Sequence, residues 1–144
     1  MIPDLDKVAD EYPAPCSKSD RCAYLKLAAM VVVGVVLYFL FDLGSKPVAV
    51  GLVPAPWDKL AHGVLFAFLA FVGGYSASIL ELPRRQLYAF TFIAAVLLGA
   101  FDEWHQLSLP GRQAGFDDLA CDALGALIGL IALAFSGLDR SKSE

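Results

Sequence analysis

Charged residues are scarce in this sequence. Of its 144 residues, 18% are Asp, Glu, Lys or Arg and 58% are hydrophobic, whereas soluble domains average about 25% charged and about 45–50% apolar residues. The mean hydropathy is +0.61. This composition excludes an ordinary soluble domain and predicts a membrane protein, and the length allows a single domain.

Basic stripes and metal-binding cysteine pairs are also lacking. Eleven Lys and Arg stand against 15 Asp and Glu, a net charge of −4, so we expect no nucleic-acid partner. Cys16 and Cys22 are six positions apart, unlike the C-x2–4-C spacing of zinc sites. Together with Cys121 they are interpreted as free thiols.

The first twenty residues are rich in Asp and Pro and contain no apolar core after a basic start, so they are not expected to be a signal peptide. We predict a polar N-terminal tail over residues 1–22, a transmembrane domain over 23–138, and a polar C-terminal tail over 139–144.

Four apolar stretches define the predicted domain, at about residues 23–41, 60–80, 87–101 and 116–135. With their polar flanks at the interface, each has about the 20 helical residues that cross a bilayer. Proline-containing segments separate them, and four segments are too few to close a β-barrel. The predicted fold is an all-α membrane protein, a four-transmembrane-helix bundle.

The basic residues predict its orientation, because Lys and Arg are enriched in cytoplasmic loops. Eight would lie on the side of the two termini and three on the other, so both termini are predicted to be cytoplasmic. The acids divide differently, because seven of them would lie at the extracytoplasmic side together with three basic residues. The net charge of that side would therefore be 3 − 7 = −4. These seven are Asp42, Asp58, Asp102, Glu103, Asp117, Asp118 and Asp122.

Three polar stretches would meet at that extracytoplasmic mouth: "WDKLAH" (57–62), "DEWHQ" (102–106) and "PGRQAGFDDLACDALG" (110–125). Helical spacing puts Asp58 and His62 on one face, and likewise Asp102, His105 and Gln106. In the last helix, one stripe joins Asp118 and Asp122 to a G-x-x-x-G that would let another helix approach closely. The stripe residues are Asp118, Asp122, Gly125 and Gly129.

Two interpretations of these charges remain open. In the structural one, Asp58, Asp117 or Asp118 caps a helix, Trp57 and Trp104 belong to an interfacial aromatic belt, and the cluster is a salt-bridge network. In the functional one, ionisable side chains that avoid lipid face the bundle interior and form a site.

The combination of motifs resembles the VanZ-like family of bacterial membrane proteins. The resemblance covers about residues 57–129 and rests on "DKLAH" (58–62), "DEWHQLSLPGR" (102–112) and the later Asp118, Asp122 and Gly125. Phe101 departs from it, because many members carry a small polar residue before the D-E pair. The resemblance implies a multi-pass protein of the bacterial inner membrane, in a family whose founding member is associated with resistance to the glycopeptide teicoplanin.

The first functional hypothesis is an enzyme acting on a lipid-linked envelope component. His62 or His105 would be the general base, with Asp102 or Asp118 fixing its tautomer. Glu103 and Asp122, with Asp58, could hold a divalent metal, the one candidate cofactor, and Arg112 could clamp a phosphate. Catalytic candidates are therefore His62, His105 and Asp102, and the candidate substrate-binding residues are Asp58, Lys59, Gln106, Arg112 and Asp118.

The second hypothesis is non-catalytic. The protein would bind a lipid-linked envelope precursor or a glycopeptide-like amphiphile, or act as a membrane scaffold. An apolar groove between the helices would take the lipid tail and the charged mouth its head group. Whether the chain is an enzyme stays open at this stage.

Overall fold

The structure is a computed structural model that describes residues 18–46, 54, 57–110 and 115–139. Within these residues the regular structure is helical throughout, with a short 3₁₀ turn at Ser78–Leu80. The four helices are α1 (Lys18–Gly44), α2 (Trp57–Ala77), α3 (Arg84–Gln106) and α4 (Phe116–Ser136). Each is long and apolar enough to cross a bilayer, which needs about 20 residues. The predicted all-α fold and the four spans are confirmed, whereas the direction of insertion stays a prediction.

Two helices are longer than the apolar runs that predicted them. α3 continues to Gln106, because the polar residues at its end bond within the helix: Gln106 Nε2 donates to Asp102 Oδ2 at 2.8 Å. α1 begins at Lys18, inside the stretch predicted as a polar tail. Residues 1–17 and 140–144 of the predicted tails lie outside the described residues.

The closest helix pair is α2 with α4, and glycines make the approach possible. A Cβ on Gly125 would lie 2.8 Å from the carbonyl carbon of Gly63, and one on Gly129 would lie 2.9 Å from that of Ala67. Nonbonded carbon atoms need about 3.5–4.0 Å. The predicted role of the G-x-x-x-G is therefore confirmed.

Small and apolar side chains of α2, α3 and α4 fill the centre of the bundle, whereas the outer faces expose large apolar side chains, as lipid contact requires. The central residues are Phe66, Ala70, Ala95, Ala126, Leu130 and Leu133. α1 lies at the periphery, since none of its residues 20–44 is buried. An apolar groove of about 350 Å³ separates α1 from α2 and α3.

The end of the bundle opposite the predicted mouth is held by Asp139. Gly137, at φ 67°, ends α4 in the left-handed conformation that glycine adopts readily. The chain then folds back, and Asp139 accepts hydrogen bonds from Arg84 Nε and Tyr88 Oη, both at 2.7 Å. Burial alone would raise the pKa of the Asp139 carboxyl, but these bonds and the Arg84 charge outweigh it and hold the pKa below its ordinary value.

Candidate functional site

Polar contacts continue the α2–α4 interface beyond its glycines. Lys59 Nζ bonds the carboxylate of Asp117 and lies 3.1 Å from Asp118 Oδ1. One turn deeper, His62 Nδ1 lies 3.1 Å from Asp122 Oδ1. The Asp117 side chain is 63% exposed and the Asp122 side chain is fully buried. The predicted stripe of α4 thus faces α2 along its length, from the bundle mouth into the interior.

Helix α3 supplies three more buried polar side chains, Asp102, Glu103 and Gln106, each 8% exposed. Gln106 holds one oxygen of Asp102, as described above. Glu103 Oε2 accepts a hydrogen bond at 2.7 Å from the backbone N–H of Gly115, the residue that precedes α4. Asp102 and Glu103 are therefore each held through one of their two carboxylate oxygens.

The two groups meet inside the bundle. One ligand atom from each of His62, Asp102 and Glu103 lies within 4.8 Å of the other two. Asp118 and Asp102 are near enough to interact electrostatically with both His62 and Glu103. The structure thus brings together side chains from three helices that are far apart in the sequence, as the sequence predicts. We call His62, Asp102, Glu103 and Asp122 the polar cluster.

Two carboxylate oxygens of the polar cluster are buried without a hydrogen-bond partner among the described residues: Glu103 Oε1 and Asp122 Oδ2. An unpaired buried polar group costs about 1–3 kcal/mol, and more if it is charged. Asp122 Oδ2 faces Gly99, where a Cβ would lie 2.8 Å from it. In native proteins such groups are compensated by an ordered water, a bound ion or protonation, or they mark a functional site.

The pairing of His62 differs from the expectation. Asp102 or Asp118 was expected to fix its tautomer, but Asp122, predicted as a metal ligand, is the residue that bonds Nδ1. If Asp122 is ionised it only accepts hydrogen bonds, and the contact then places a proton on Nδ1 and leaves the lone pair of a neutral imidazole on Nε2. The arrangement suits His62 for binding a cation or for proton transfer.

His105 lies on a different side of α3. Its ring stacks on Phe41 of α1, with centroids 5.6 Å apart and planes 20° apart, and its Nε2 lies 3.2 Å from Ser45 Oγ. The structure therefore places this second catalytic candidate against α1 rather than with His62.

Asp58 and Arg112 complete the predicted set. Asp58 Oδ1 accepts a hydrogen bond at 2.8 Å from the backbone N–H of the next residue, Lys59, in the first turn of α2, where a negative charge suits the helix N-terminus; this is not the bond to the second or third N–H that defines an N-cap. Arg112 lies outside the described residues, so its predicted phosphate contact stays a prediction.

Sequence reasoning missed two glycines of the site. Gly99 makes room for the Asp122 carboxylate, and Gly115 supplies the N–H that holds Glu103. The signal for Gly99 was available, because it precedes Asp102 by three positions and so lies on the same face of α3.

The chain was compared with known proteins. The family model described as VanZ/LLP1 matches residues 6–136, a range that includes all four helices and every predicted site residue. No curated protein and no solved structure shows a significant match to the chain.

Proposed function

The chain belongs to the VanZ/LLP1 family, and from that premise we propose that it binds a lipid-linked component of the bacterial cell envelope. The head group of this ligand lies at the polar cluster and its chain lies in the groove beside α1. A glycopeptide-like compound is a second candidate ligand, favoured by the family resemblance alone.

The single observation that carries the proposal is the pair of buried carboxylate oxygens, on Glu103 and Asp122, that have no hydrogen-bond partner within the described part of the chain. A network that only joined helices would pair its buried atoms, because each unpaired one lowers stability. Lys59, with a side chain 34% exposed at the rim, supplies positive charge for a phosphate-bearing head group.

The groove supports the second half of the proposal. It is lined mainly by apolar residues of three membrane-spanning helices, among them Val33, Leu37, Leu69, Phe90 and Leu98. Leu98, which lines the groove, precedes Asp102 of the polar cluster by one helical turn of α3. An acyl or prenyl chain is the occupant whose chemistry fits these walls.

A retained-lipid measurement tests the proposal. The full-length protein is reconstituted in nanodiscs containing a polyprenyl phosphate and, separately, phosphatidylglycerol, and the lipid that survives detergent extraction is counted by native mass spectrometry. We expect polyprenyl phosphate to be retained in preference to phosphatidylglycerol. Lys59→Gln should weaken retention several-fold, since it removes a positive charge at the rim that can donate to a phosphate oxygen.

Lys46→Gln is the matched control. Lys46 is also ion-paired near a helix end, to Asp42 at 2.6 Å, but its partner belongs to α1, outside the polar cluster. Equal retention by both lysine variants and the wild type, or no preference between the two lipids, would overturn the proposal.

The proposed orientation places the polar cluster at the extracytoplasmic face of the inner membrane, with both termini in the cytoplasm. It rests on the distribution of Lys and Arg. In a variant lacking the native cysteines, Ser108→Cys should react with a membrane-impermeant maleimide in cells with a permeable outer envelope, whereas Glu81→Cys at the other end should not. The reverse pattern would move the site to the cytoplasm.

The alternative function is a non-catalytic scaffold with a structural polar cluster. The contacts between α2 and α4 favour it, because Lys59 with Asp118 and His62 with Asp122 tie the two helices together. This alternative predicts that Lys59→Gln and His62→Ala lower stability and leave lipid retention unchanged.

A further inference from the structure

We propose that His62, Asp102 and Glu103 bind a divalent first-row transition-metal ion, for which Zn²⁺ is the probe. The ion would use His62 Nε2 and one oxygen from each carboxylate. An imidazole with two carboxylates is a ligand set that zinc accepts in proteins, and three protein ligands leave a further position open.

The distances suit an ion of this size. One donor atom from each residue lies within 4.8 Å of the others. Zinc holds nitrogen and oxygen ligands at about 2.0–2.2 Å, which puts the ligand atoms roughly 3–4 Å from one another. Small side-chain rotations therefore bring the three donors to bonding distance without movement of the helices.

A neighbour also holds one side-chain atom of each of the three residues, and the ion would bind through another atom. His62 Nδ1 bonds Asp122 at 3.1 Å, Asp102 Oδ2 accepts from Gln106 at 2.8 Å, and Glu103 Oε2 accepts from Gly115 N at 2.7 Å. Metal-binding histidines almost always donate their second ring N–H to a carboxylate, carbonyl or water, and ligating carboxylates are hydrogen-bonded in turn. The polar cluster reproduces this pattern at all three positions.

An independent observation marks where the ion belongs. Glu103 is 8% exposed, and its Oε1 is buried with no hydrogen-bond partner among the described residues. Two carboxylates and a neutral imidazole would balance the charge of a divalent cation, which removes the cost of burying the acids alone. The bound ion would supply the partner that Glu103 Oε1 lacks.

The inference deepens the proposed function and, in this respect only, rests on it. A bound cation would offset the charge of the three buried acids as a phosphate head group approaches, and its open position would take a phosphate oxygen. Asp122 is a positioning residue in this arrangement, because it acts on the ion through His62.

Metal content is measured on full-length protein purified in detergent with a histidine-free tag and dialysed after exposure to Zn²⁺. We expect about one zinc per chain by inductively coupled plasma mass spectrometry. Glu103→Gln and His62→Ala should each lose most of it. His105→Ala, which removes the other histidine of the chain, should keep it, since His105 packs against Phe41.

Titration of the wild type with Co²⁺ gives a second readout that does not depend on how any variant folds. Wild-type protein titrated with Co²⁺ should develop the visible absorption of a low-coordinate site at one equivalent. Asp122→Asn should weaken Co²⁺ binding about 10–100-fold, the usual effect of removing a residue that orients a metal ligand. Wild-type protein with no more zinc than the buffer blank and no cobalt spectrum would overturn the inference.

No lipid is added in these experiments, so their outcome is separable from that of the lipid test. Metal binding without lipid retention would support this inference and overturn the proposed function. Lipid retention by a protein that binds no metal would support the proposed function and overturn this inference.

Discussion

Gly125→Ala tests whether the contact between α2 and α4 builds the polar cluster. The new Cβ would lie 2.8 Å from the carbonyl carbon of Gly63 and 2.9 Å from its Cα, where nonbonded carbons need about 3.5–4.0 Å. The obstacle is backbone, which no rotamer change can move. The two helices must therefore separate by roughly 1 Å.

That separation has a cost in stability and a consequence at the site. Overpacking of this kind costs about 1–3 kcal/mol. His62 adjoins Gly63, and Asp122 lies one helical turn before Gly125, so the 3.1 Å contact between His62 and Asp122 would lengthen beyond the reach of a hydrogen bond, about 3.5 Å. We therefore expect Gly125→Ala to lower both the free energy of unfolding and the affinity for Co²⁺.

The assay is unfolding in mixed detergent and SDS micelles, followed by circular dichroism and paired with Co²⁺ titration. Gly73→Ala is the control, because a Cβ there meets nothing within 4 Å. It should unfold like the wild type or slightly later, since alanine favours a helix over glycine by about 1 kcal/mol in water. Equal stability and equal Co²⁺ affinity of the two variants would refute the reasoning.

Two further predictions concern other contacts. Asp139→Asn should lower the unfolding free energy by about 1–3 kcal/mol, since it weakens bonds to a charged group. Because folding lowers the pKa of Asp139, the stabilisation that this carboxylate provides is complete above the ordinary pKa of Asp, near 4, and is lost at lower pH. Melting temperatures of the wild type and the variant should therefore converge in acid. Gly99→Ala places a Cβ 2.8 Å from Asp122 Oδ2 and should weaken Co²⁺ binding several-fold. Gly34→Ala, where a Cβ meets nothing within 4 Å, should leave Co²⁺ binding unchanged. A Gly99→Ala variant with wild-type Co²⁺ affinity would contradict the position given to Asp122.

Much of the fold was predictable from the sequence because the bilayer restricts the choice of structures. Apolar runs of helical length, separated by proline-containing turns, leave a bundle of four helices as the one solution. The stripe of α4 was also predictable, since 3.6-residue periodicity fixes which residues share a face. Asp118, Asp122 and the two glycines all face α2, as their spacing predicts.

The pairing between helices was not predictable in the same way. Periodicity fixes the faces of one helix but not its rotation against the next, which depends on packing. His105 illustrates this: it is three positions from Asp102 in the sequence, yet α3 turns it towards Phe41 and α1. For the same reason the partner of His62 is Asp122, from a helix sixty residues later.

The most direct test of the central claim, that the polar cluster is a ligand site rather than a structural network, is the thermal stability of Glu103→Gln compared with that of the wild type, each with and without Zn²⁺. We predict that the metal-free variant melts no lower than the metal-free wild type, because a neutral amide replaces a buried carboxyl group whose Oε1 has no partner among the described residues. We also predict that Zn²⁺ raises the melting temperature of the wild type alone. A metal-free variant that melts well below the wild type, with no effect of Zn²⁺ on either protein, would contradict the account.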